Sequence, residues 1–297
     1  MHIYPDALAV VRDLRPDEPV ILNRPHAARR AARYFVEKFP GKVLYAVKAN
    51  PAPDLIEVLW EAGVTHYDVA SIAEVRLVRG ILPGAVLCFM HPVKTPAAIS
   101  EAYFDHGVRT FSLDSVEELE KIIDACRNRE TGEAPRDLRL CVRLRVSSEY
   151  SELSLASKFG CDLIEAPALL QEARQHCDWL GVCFHVGSQA MTPFAFVQAL
   201  DRTRAAIAEA SVVVDMIDVG GGFPSAYPGL EPPPMEDYFA IIARHFEALP
   251  IAYNAELWCE PGRALSAEYS SMIVQVNKRR GEELYINDGA YGALYDA

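Results

Sequence analysis

The chain has 297 residues, 51% of them hydrophobic and 24% charged, which is enough to build one large domain, alone or with a smaller second one. A formal net charge of −12 argues against a nucleic-acid-binding surface, because phosphate binding needs clustered lysine and arginine. No apolar run approaches the roughly 20 residues that span a bilayer, and no signal-peptide pattern is present, so we expect a soluble protein without a membrane partner.

The first predicted elements are a strand and a helix. Residues 1–18 show no clear periodicity. The run 19–22 predicts a strand, and Arg24-Pro25 predicts the start of a helix that ends near Phe39, since proline suits a first helical turn.

From Lys42 onward, short apolar runs alternate with helical patterns. The strand-like runs lie at 43–47, 65–69, 85–89, 109–112, 138–144, 178–184, 215–219 and 254–259. The helical patterns lie at 53–62, 71–79, 95–105, 115–127, 165–176, 192–210 and 235–248. Strands that alternate with helices in this way, eight over about 220 residues, predict an α/β fold of the (β/α)₈ barrel type.

Two connections in this pattern are longer than the others. Residues 127–137 are charged and predict a solvated loop. Residues 147–162 are rich in serine and follow the carboxyl end of a strand, so they predict a functional lid.

The pattern changes after Glu260. Residues 264–276 and 283–287 predict strands without helices between them. We therefore expect three parts: residues 1–24 as an N-terminal strand region of a β-rich domain, 25–261 as the barrel, and 262–297 as the start of the C-terminal β domain.

The seven cysteines are scattered, odd in number and free of Cys-x-x-Cys spacing. Such cysteines are typical of buried thiols in a reducing compartment, and they indicate neither disulfides nor a zinc site. We therefore expect a cytoplasmic protein.

Polar residues and glycines recur where the predicted strands end. In chain order they are Lys48, Asp68, His91, Asp114, Arg143, His185, Gly220-Gly221-Gly222 and Glu260-Pro261-Gly262-Arg263. The active site of a (β/α)₈ barrel lies at the carboxyl ends of its strands. Each residue alone also has an ordinary explanation, Lys48 as a solvated strand end and His185 as a hydrogen-bonded core histidine. Together they indicate a site, because each charge would cost several kcal/mol if buried without a partner.

The triple glycine after the seventh strand indicates a bound phosphate. Glycines let the backbone approach a ligand closely, and the loops after strands seven and eight of this fold commonly hold a phosphate. Arg263 in the next loop can bind the same phosphate through two hydrogen bonds. With Lys48 as a Schiff-base lysine and Glu260 as a partner for a pyridine nitrogen, this set fits pyridoxal 5′-phosphate (PLP).

Eight ordered motifs across residues 20–297 carry a family resemblance. They are Tyr45-Ala46-Val47-Lys48-Ala49-Asn50-Pro51, Asp68-Val69-Ala70-Ser71, His91-Pro92-Val93-Lys94, Ser157-Lys158-Phe159-Gly160, Phe184-His185-Val186-Gly187-Ser188, Asp218-Val219-Gly220-Gly221-Gly222-Phe223-Pro224, Glu260-Pro261-Gly262-Arg263 and Asn287-Asp288-Gly289. The chain resembles the ornithine/diaminopimelate decarboxylase family of fold type III PLP enzymes. The sequences of the third and fifth motifs resemble those of ornithine decarboxylases more than those of diaminopimelate decarboxylases.

The resemblance implies a role for each matched residue. The implied catalytic residues are Lys48 as the Schiff-base lysine, His185 against the cofactor ring and Glu260 at the pyridine nitrogen. The residues implied to bind the phosphate are Ser188, Gly220, Gly221, Gly222 and Arg263. Asp68 and Arg143 orient the groups near Lys48.

The chain departs from the family at its end. Family members continue for about another hundred residues, which carry a Cys-Asp pair that reaches into the partner subunit's site and a tyrosine on the phosphate. The resemblance therefore implies a homodimer with shared active sites, and we expect the functional protein to be longer than 297 residues. Asp296 is matched with a substrate-binding aspartate in a Tyr-Asp motif.

The function implied is decarboxylation of a basic diamino acid, with L-ornithine giving putrescine for polyamine biosynthesis first and L-lysine giving cadaverine second. Diaminopimelate decarboxylation and a catalytically weak, PLP-binding regulatory relative are the alternatives. The presence of Lys48 disfavours a non-catalytic relative, and the β segment after Arg263 disfavours a racemase-like barrel. An interaction-only fragment with a cofactor but little turnover is a further alternative.

Overall fold

The structure is a computed structural model that describes residues 3–146, 151–153, 158–250 and 253–294, with only the backbone described for 151–153. Its elements in chain order are α1 (Ala7–Leu14), β1 (Val20–Asn23), α2 (Pro25–Lys38), β2 (Lys42–Ala46), α3 (Pro53–Glu61), β3 (His66–Val69), α4 (Ile72–Ile81), β4 (Val86–Phe89), α5 (Pro96–Phe104), β5 (Thr110–Leu113), α6 (Val116–Ala125), β6 (Arg139–Arg143), β7 (Ser151–Leu153), α7 (Ala166–Gln175), β8 (Trp179–Cys183), β9 (Ser188–Ala190), α8 (Phe194–Ala210), β10 (Met216–Asp218), α9 (Met235–Glu247), β11 (Glu256–Cys259), α10 (Arg263–Ser266), β12 (Ser270–Ile273), β13 (Val276–Arg280) and β14 (Glu283–Ile286).

Eight parallel strands form a closed barrel in the order β2, β3, β4, β5, β6, β8, β10 and β11, and β11 pairs with β2 to complete the ring. Each of these strands overlaps one of the eight predicted runs, with small shifts at the ends. A helix connects each strand to the next around the barrel. The predicted (β/α)₈ fold is therefore confirmed.

The barrel strands are buried on both faces. Between strands and helices lies a large apolar layer that contains Tyr45, Phe89, Phe111 and Phe223. Inside the barrel, a smaller cluster fills the space; its buried members are Leu44, Cys88, Met90, Cys141, Cys183, Met216 and Trp258. Burial on both sides explains why the strands appear in the sequence as apolar runs without strict alternation. All seven cysteines lie in the described part of the chain and are buried free thiols.

The first 18 residues contain a helix that the sequence did not predict. The N-cap of α1 is Asp6, whose carboxylate accepts a hydrogen bond of 2.8 Å from the backbone N–H of Ala9. The helix has only two turns, too few for a clear period, and its apolar residues Leu8, Val11 and Leu14 are exposed. The strand at 19–22 and the helix at 25–39 are both present, as β1 and α2.

The segment after Glu260 is only partly as predicted. Instead of one extended run over 264–276, α10 comes first and β12 begins at Ser270. β12 pairs in antiparallel fashion with β1, and β13 pairs with β14, both outside the barrel. The pairing of β1 with β12 joins the N-terminal strand to the C-terminal segment. The three-part division at residues 24 and 261 remains a prediction.

The two long connections differ. Residues 127–137 contain no helix or strand and are mostly exposed, in agreement with the predicted loop. Part of the predicted lid at 147–162 lies outside the described residues; within it, β7 pairs with β9 as a two-stranded ribbon. Among the helices described, none has the length and apolar character needed to cross a membrane.

Candidate active site

Lys48 lies at the carboxyl end of β2, in a 3₁₀ turn formed by Val47–Ala49. Its Nζ is 3.0 Å from Oδ2 of Asp68, which follows from the pairing of β2 with β3. The Asp68 side chain is 1% exposed, whereas that of Lys48 is 47% exposed. Burial opposes the charge of Lys48, but the carboxylates of Asp68 and Glu260 outweigh burial and raise the pKa of its ammonium. One hydrogen bond to Asp68 thus holds the Lys48 amine, while about half of the lysine side chain stays exposed and accessible to a ligand.

A third carboxylate lies beside this pair. Ser71 caps the N-terminus of α4 by accepting a hydrogen bond from the backbone N–H of Glu74, and Glu74 Oε2 accepts one of 2.8 Å from the N–H of Ala70. This pattern resembles a capping box, except that the glutamate accepts from the residue before the N-cap. Burial, reinforced by the charge of Asp68, raises the pKa of Glu74. Glu74 therefore fixes the loop that follows Asp68.

His185 follows β8 and lies against the glycine loop. Its Nδ1 accepts a hydrogen bond of 3.0 Å from the N–H of Gly187, which sets the ring orientation. A Cβ on Gly221 would lie 2.9 Å from His185 Nε2, so only glycine fits against this ring. Burial, followed by the charges of Lys48 and Arg143, lowers the pKa of His185 well below its usual value. The imidazole is therefore neutral at physiological pH.

Glu260 directly follows β11 and is 7% exposed. Its backbone N–H donates to the carbonyl of Gly220 at 2.8 Å, which joins the two loops after β10 and β11. Burial and the nearby carboxylates of Asp218 and Asp68 raise the pKa of Glu260 well above its usual value. Burial also raises the pKa of Asp218, which bonds the N–H of Gly220 at 2.8 Å. Glu260 is a buried acid that a neighbouring cation would stabilise in its charged form.

The glycine loop and Arg263 form a cradle beside Glu260. Gly222 has a φ of +96°, and a Cβ there would lie 2.4 Å from the carbonyl oxygen of Gly187. Arg263 Nη2 donates to Ser188 Oγ at 3.4 Å. These residues present a cation, a hydroxyl and a bare backbone to the same space, which suits a phosphate.

The sequence profile of one protein family matches residues 26–267, and its description reads pyridoxal-dependent decarboxylase, pyridoxal binding domain. The chain belongs to the pyridoxal-dependent decarboxylase family. The match spans more than half of the chain and includes Lys48, His185, Glu260 and Arg263.

Individual members of this family resemble the chain over most of its length. The lysine/ornithine decarboxylase of Selenomonas ruminantium is 30% identical over an alignment of 268 residues that covers 85% of this chain and 63% of that protein. Antizyme inhibitor 2 of Xenopus laevis is 28% identical over an alignment of 292 residues that covers 88% of this chain and 59% of that protein. A crystal structure of a mutant of SrLDC in complex with PLP superposes with a TM-score of 0.85 at 26% identity, over 99% of this chain and 76% of that one. The chain thus spans less than two thirds of the length of the curated relatives it matches.

The cofactor of this family is PLP, and the residues present fit it. Within the described part of the chain, Glu260 Oε1, Asp68 Oδ1 and Arg263 Nε are buried without a hydrogen-bond partner. Buried polar atoms normally have partners, and each one without costs about 1–3 kcal/mol. A ligand with a phosphate at Arg263 and a ring nitrogen at Glu260 would satisfy two of these atoms. An aldehyde carbon near Lys48 would complete the fit.

The remaining residues predicted for the site lie in different surroundings. Arg143 lies near Lys48 and His185, and the central carbon of its guanidinium is 5.4 Å from the centre of the Phe159 ring. Asp114 Oδ2 accepts a hydrogen bond of 2.8 Å from the N–H of Gly160, so it fixes the chain around Phe159. The ring centres of His91 and Phe159 are 5.0 Å apart, in an edge-to-face arrangement. Asp296 lies outside the described residues.

Sequence reasoning assigned no role to three residues at this site. Glu74 was detectable as the fourth residue of a Ser-x-x-Glu capping box. Asp218 stands two residues before the glycine loop, but its proximity to Glu260 depends on the closed barrel. Tyr227, which contacts Arg263, had no signal beyond its place after the glycine loop.

Proposed function

We propose that the protein is a PLP-dependent decarboxylase of a basic diamino acid, with L-ornithine and L-lysine as substrates. The observation that carries this proposal is the Lys48–Asp68 pair, which lies at the same end of the barrel as Glu260 and the Arg263 cradle. PLP, when bound, supplies an electron sink for the carbanion that forms as CO₂ leaves. The chain supplies binding, orientation and charge.

Lys48 is proposed as the residue that binds the aldehyde carbon of the cofactor. Asp68 Oδ2, 3.0 Å from Nζ, holds the amine in place by accepting a hydrogen bond from it. Glu74 keeps the loop after Asp68 in place through the Ala70 N–H, and Arg143, whose charge opposes that of the Lys48 ammonium, is proposed to orient the groups near Lys48.

Glu260 and His185 are proposed to hold the ring. A carboxylate at a pyridine nitrogen keeps that nitrogen protonated, and the cationic nitrogen in turn stabilises the charged form of Glu260, whose pKa burial and Asp218 otherwise raise. The neutral imidazole of His185 can lie flat against the ring without repelling its positive charge. Ser188, Gly220, Gly221, Gly222 and Arg263 are proposed to hold the phosphate.

The substrate and the assembly are inferred from relatives. The matched Selenomonas protein is named a lysine/ornithine decarboxylase, which supports ornithine and lysine as substrates and putrescine and cadaverine as products. The shared-site homodimer of the family is proposed for this protein as well, as is a cytoplasmic location.

The test is CO₂ release from L-ornithine, L-lysine and meso-diaminopimelate by PLP-loaded protein, at matched concentrations. We expect release from ornithine or lysine and a much lower rate with diaminopimelate. A higher rate with diaminopimelate would reassign the substrate, and no release from any of the three would contradict the decarboxylase proposal.

A regulatory role is the second candidate, because one matched relative is named antizyme inhibitor 2. It predicts a protein that retains its fold but releases no CO₂. The complete set of Lys48, Asp68, His185 and Glu260 favours the enzyme.

A further inference from the structure

Tyr227 contacts the arginine of the phosphate cradle. Arg263 Nη1 donates a hydrogen bond of 2.8 Å to the hydroxyl oxygen of Tyr227, and the guanidinium lies 5.9 Å from the centre of the tyrosine ring. We propose that Tyr227 is a phosphate-binding residue that completes the cradle from within the barrel. This inference rests on the proposed function, since it assumes that Arg263 binds the phosphate of PLP.

The direction of the hydrogen bond carries the argument. Because the guanidinium can only donate, the tyrosine oxygen must accept, and its own proton is left to donate elsewhere. An oxygen that accepts from a cation is a stronger donor through its proton. Within the described residues, the Nε of Arg263 is also buried without a partner. Arg263 and Tyr227 therefore offer N–H and O–H groups side by side, as a phosphate dianion requires.

The backbone holds Tyr227 in position. Its N–H donates to the carbonyl of Leu230 at 3.0 Å, and the N–H of Leu230 donates back at 2.9 Å. Pro228 and Gly229 form the turn between them, and the φ of +80° at Gly229 is one that glycine adopts readily.

A second anchor lies just before Tyr227. The N–H of Ser225 donates to Gln189 Oε1 at 3.0 Å, and the amide of Gln189 donates back to the carbonyl of Ser225. Gln189 is 4% exposed and follows Ser188, the hydroxyl that contacts Arg263. Both contacts of Arg263 thus belong to one hydrogen-bonded unit, which presents the tyrosine hydroxyl without the need to order a loose loop.

The competing explanation is that Tyr227 only covers Arg263 by aromatic packing. Tyr227→Phe separates the two, because it keeps the ring over the guanidinium and removes the hydroxyl alone. Binding of PLP is compared with binding of pyridoxal, which has the same ring and aldehyde but no phosphate. Tyr253→Phe is the matched control, since Tyr253 is 85% exposed.

The measurement is the dissociation constant of each ligand for each variant, by equilibrium dialysis. We expect Tyr227→Phe to weaken PLP about tenfold or more, the loss expected for a hydrogen bond to a charged group. Pyridoxal binding should stay within about twofold, and Tyr253→Phe should match the parent.

Three results would contradict the inference. Unchanged PLP affinity in Tyr227→Phe, with the parent binding PLP normally, would overturn it and leave the proposed function intact. Equal weakening of PLP and pyridoxal would show a structural effect and also overturn it. A parent protein that does not bind PLP would refute the proposed function and the inference together.

Discussion

The two ends of the barrel differ in whether their polar groups have partners within the chain, although the same strands form both ends. At the amino end, Lys42 of β2 and Glu256 of β11 form an ion pair of 2.8 Å, and Glu256 also accepts from the indole N–H of Trp258. At the carboxyl end, the described residues leave Glu260 Oε1 and Asp68 Oδ1 buried without partners. The amino end is complete within the chain, whereas the carboxyl end is complete only with a ligand.

The difference follows from burial. The side chains of Lys42 and Glu256 are 42% and 45% exposed, so water can bond the donors and acceptors that the pair leaves free. Such an exposed ion pair contributes about 0–1 kcal/mol to stability. Below the site, the cluster around Met216 and Trp258 fills the barrel and excludes water from that side. Polar groups above it are therefore desolvated, which strengthens their interaction with a charged ligand.

Among the variants that should still bind PLP, the largest effect is expected at Glu260. Glu260→Gln should retain bound PLP, because the phosphate contacts remain, and should lower kcat by about 10²-fold, the scale of one lost electrostatic stabiliser. The matched control is Glu256→Gln, four residues earlier at the amino end, which should leave kcat unchanged. Cofactor absorbance and initial rates measure both. Equal rates for Glu260→Gln and the parent would show that Glu260 is not the partner of the ring nitrogen.

A buried ion pair at the carboxyl end sharpens the comparison. Lys94 Nζ is 3.0 Å from Glu118 Oε1, with side chains 0% and 5% exposed, and it also donates to the carbonyls of His91 and Ser112. Burial lowers the pKa of Lys94 to about 8 despite its partner. This pair holds the loop that carries His91 beside the site.

Glu118→Gln should therefore lower the free energy of unfolding by about 3 kcal/mol, because one charge stays buried without its partner. The same change in the exposed pair, Glu256→Gln, should cost less than about 1 kcal/mol. Urea unfolding of both variants against the parent provides the values. Similar losses in the two variants would mean that burial does not distinguish the two ends.

The smallest effect is expected at His66, at the amino end. Burial, followed by the charge of Lys42, lowers the pKa of His66 to about 4. The unfolded chain takes up a proton near pH 6.5 but the folded chain does not, so stability is lost as the pH falls from 6.5 towards 4. With solvent screening, we expect a loss of about 1 kcal/mol, absent in His66→Gln. Parallel stability curves for parent and variant over this range would exclude this role.

The barrel could be predicted because its signal is local. Each strand from Val43 to Cys259 is a short apolar run buried on both faces, and all but the last are followed by a helical pattern. The strand-end residues Lys48, Asp68, His185 and Glu260 could be found once the barrel was assumed, since its carboxyl ends meet at one edge.

The rest depends on contacts that are distant in the sequence or too short to show a period. α1 has two turns with exposed apolar residues, so its pattern resembled a loop. α10 was taken for a strand because four residues cannot reveal a helical period. Asp218 meets Glu260, and Tyr227 meets Arg263, only after the barrel closes, across about 40 residues in each case.

The most direct test of the central claim is the position at which PLP attaches. The PLP-loaded protein is reduced with borohydride, digested, and the modified lysine identified by mass spectrometry. We predict modification at Lys48, and no modification, cofactor absorbance or CO₂ release in a folded Lys48→Ala variant. Modification at another lysine such as Lys94, or normal decarboxylation by Lys48→Ala, would contradict the account.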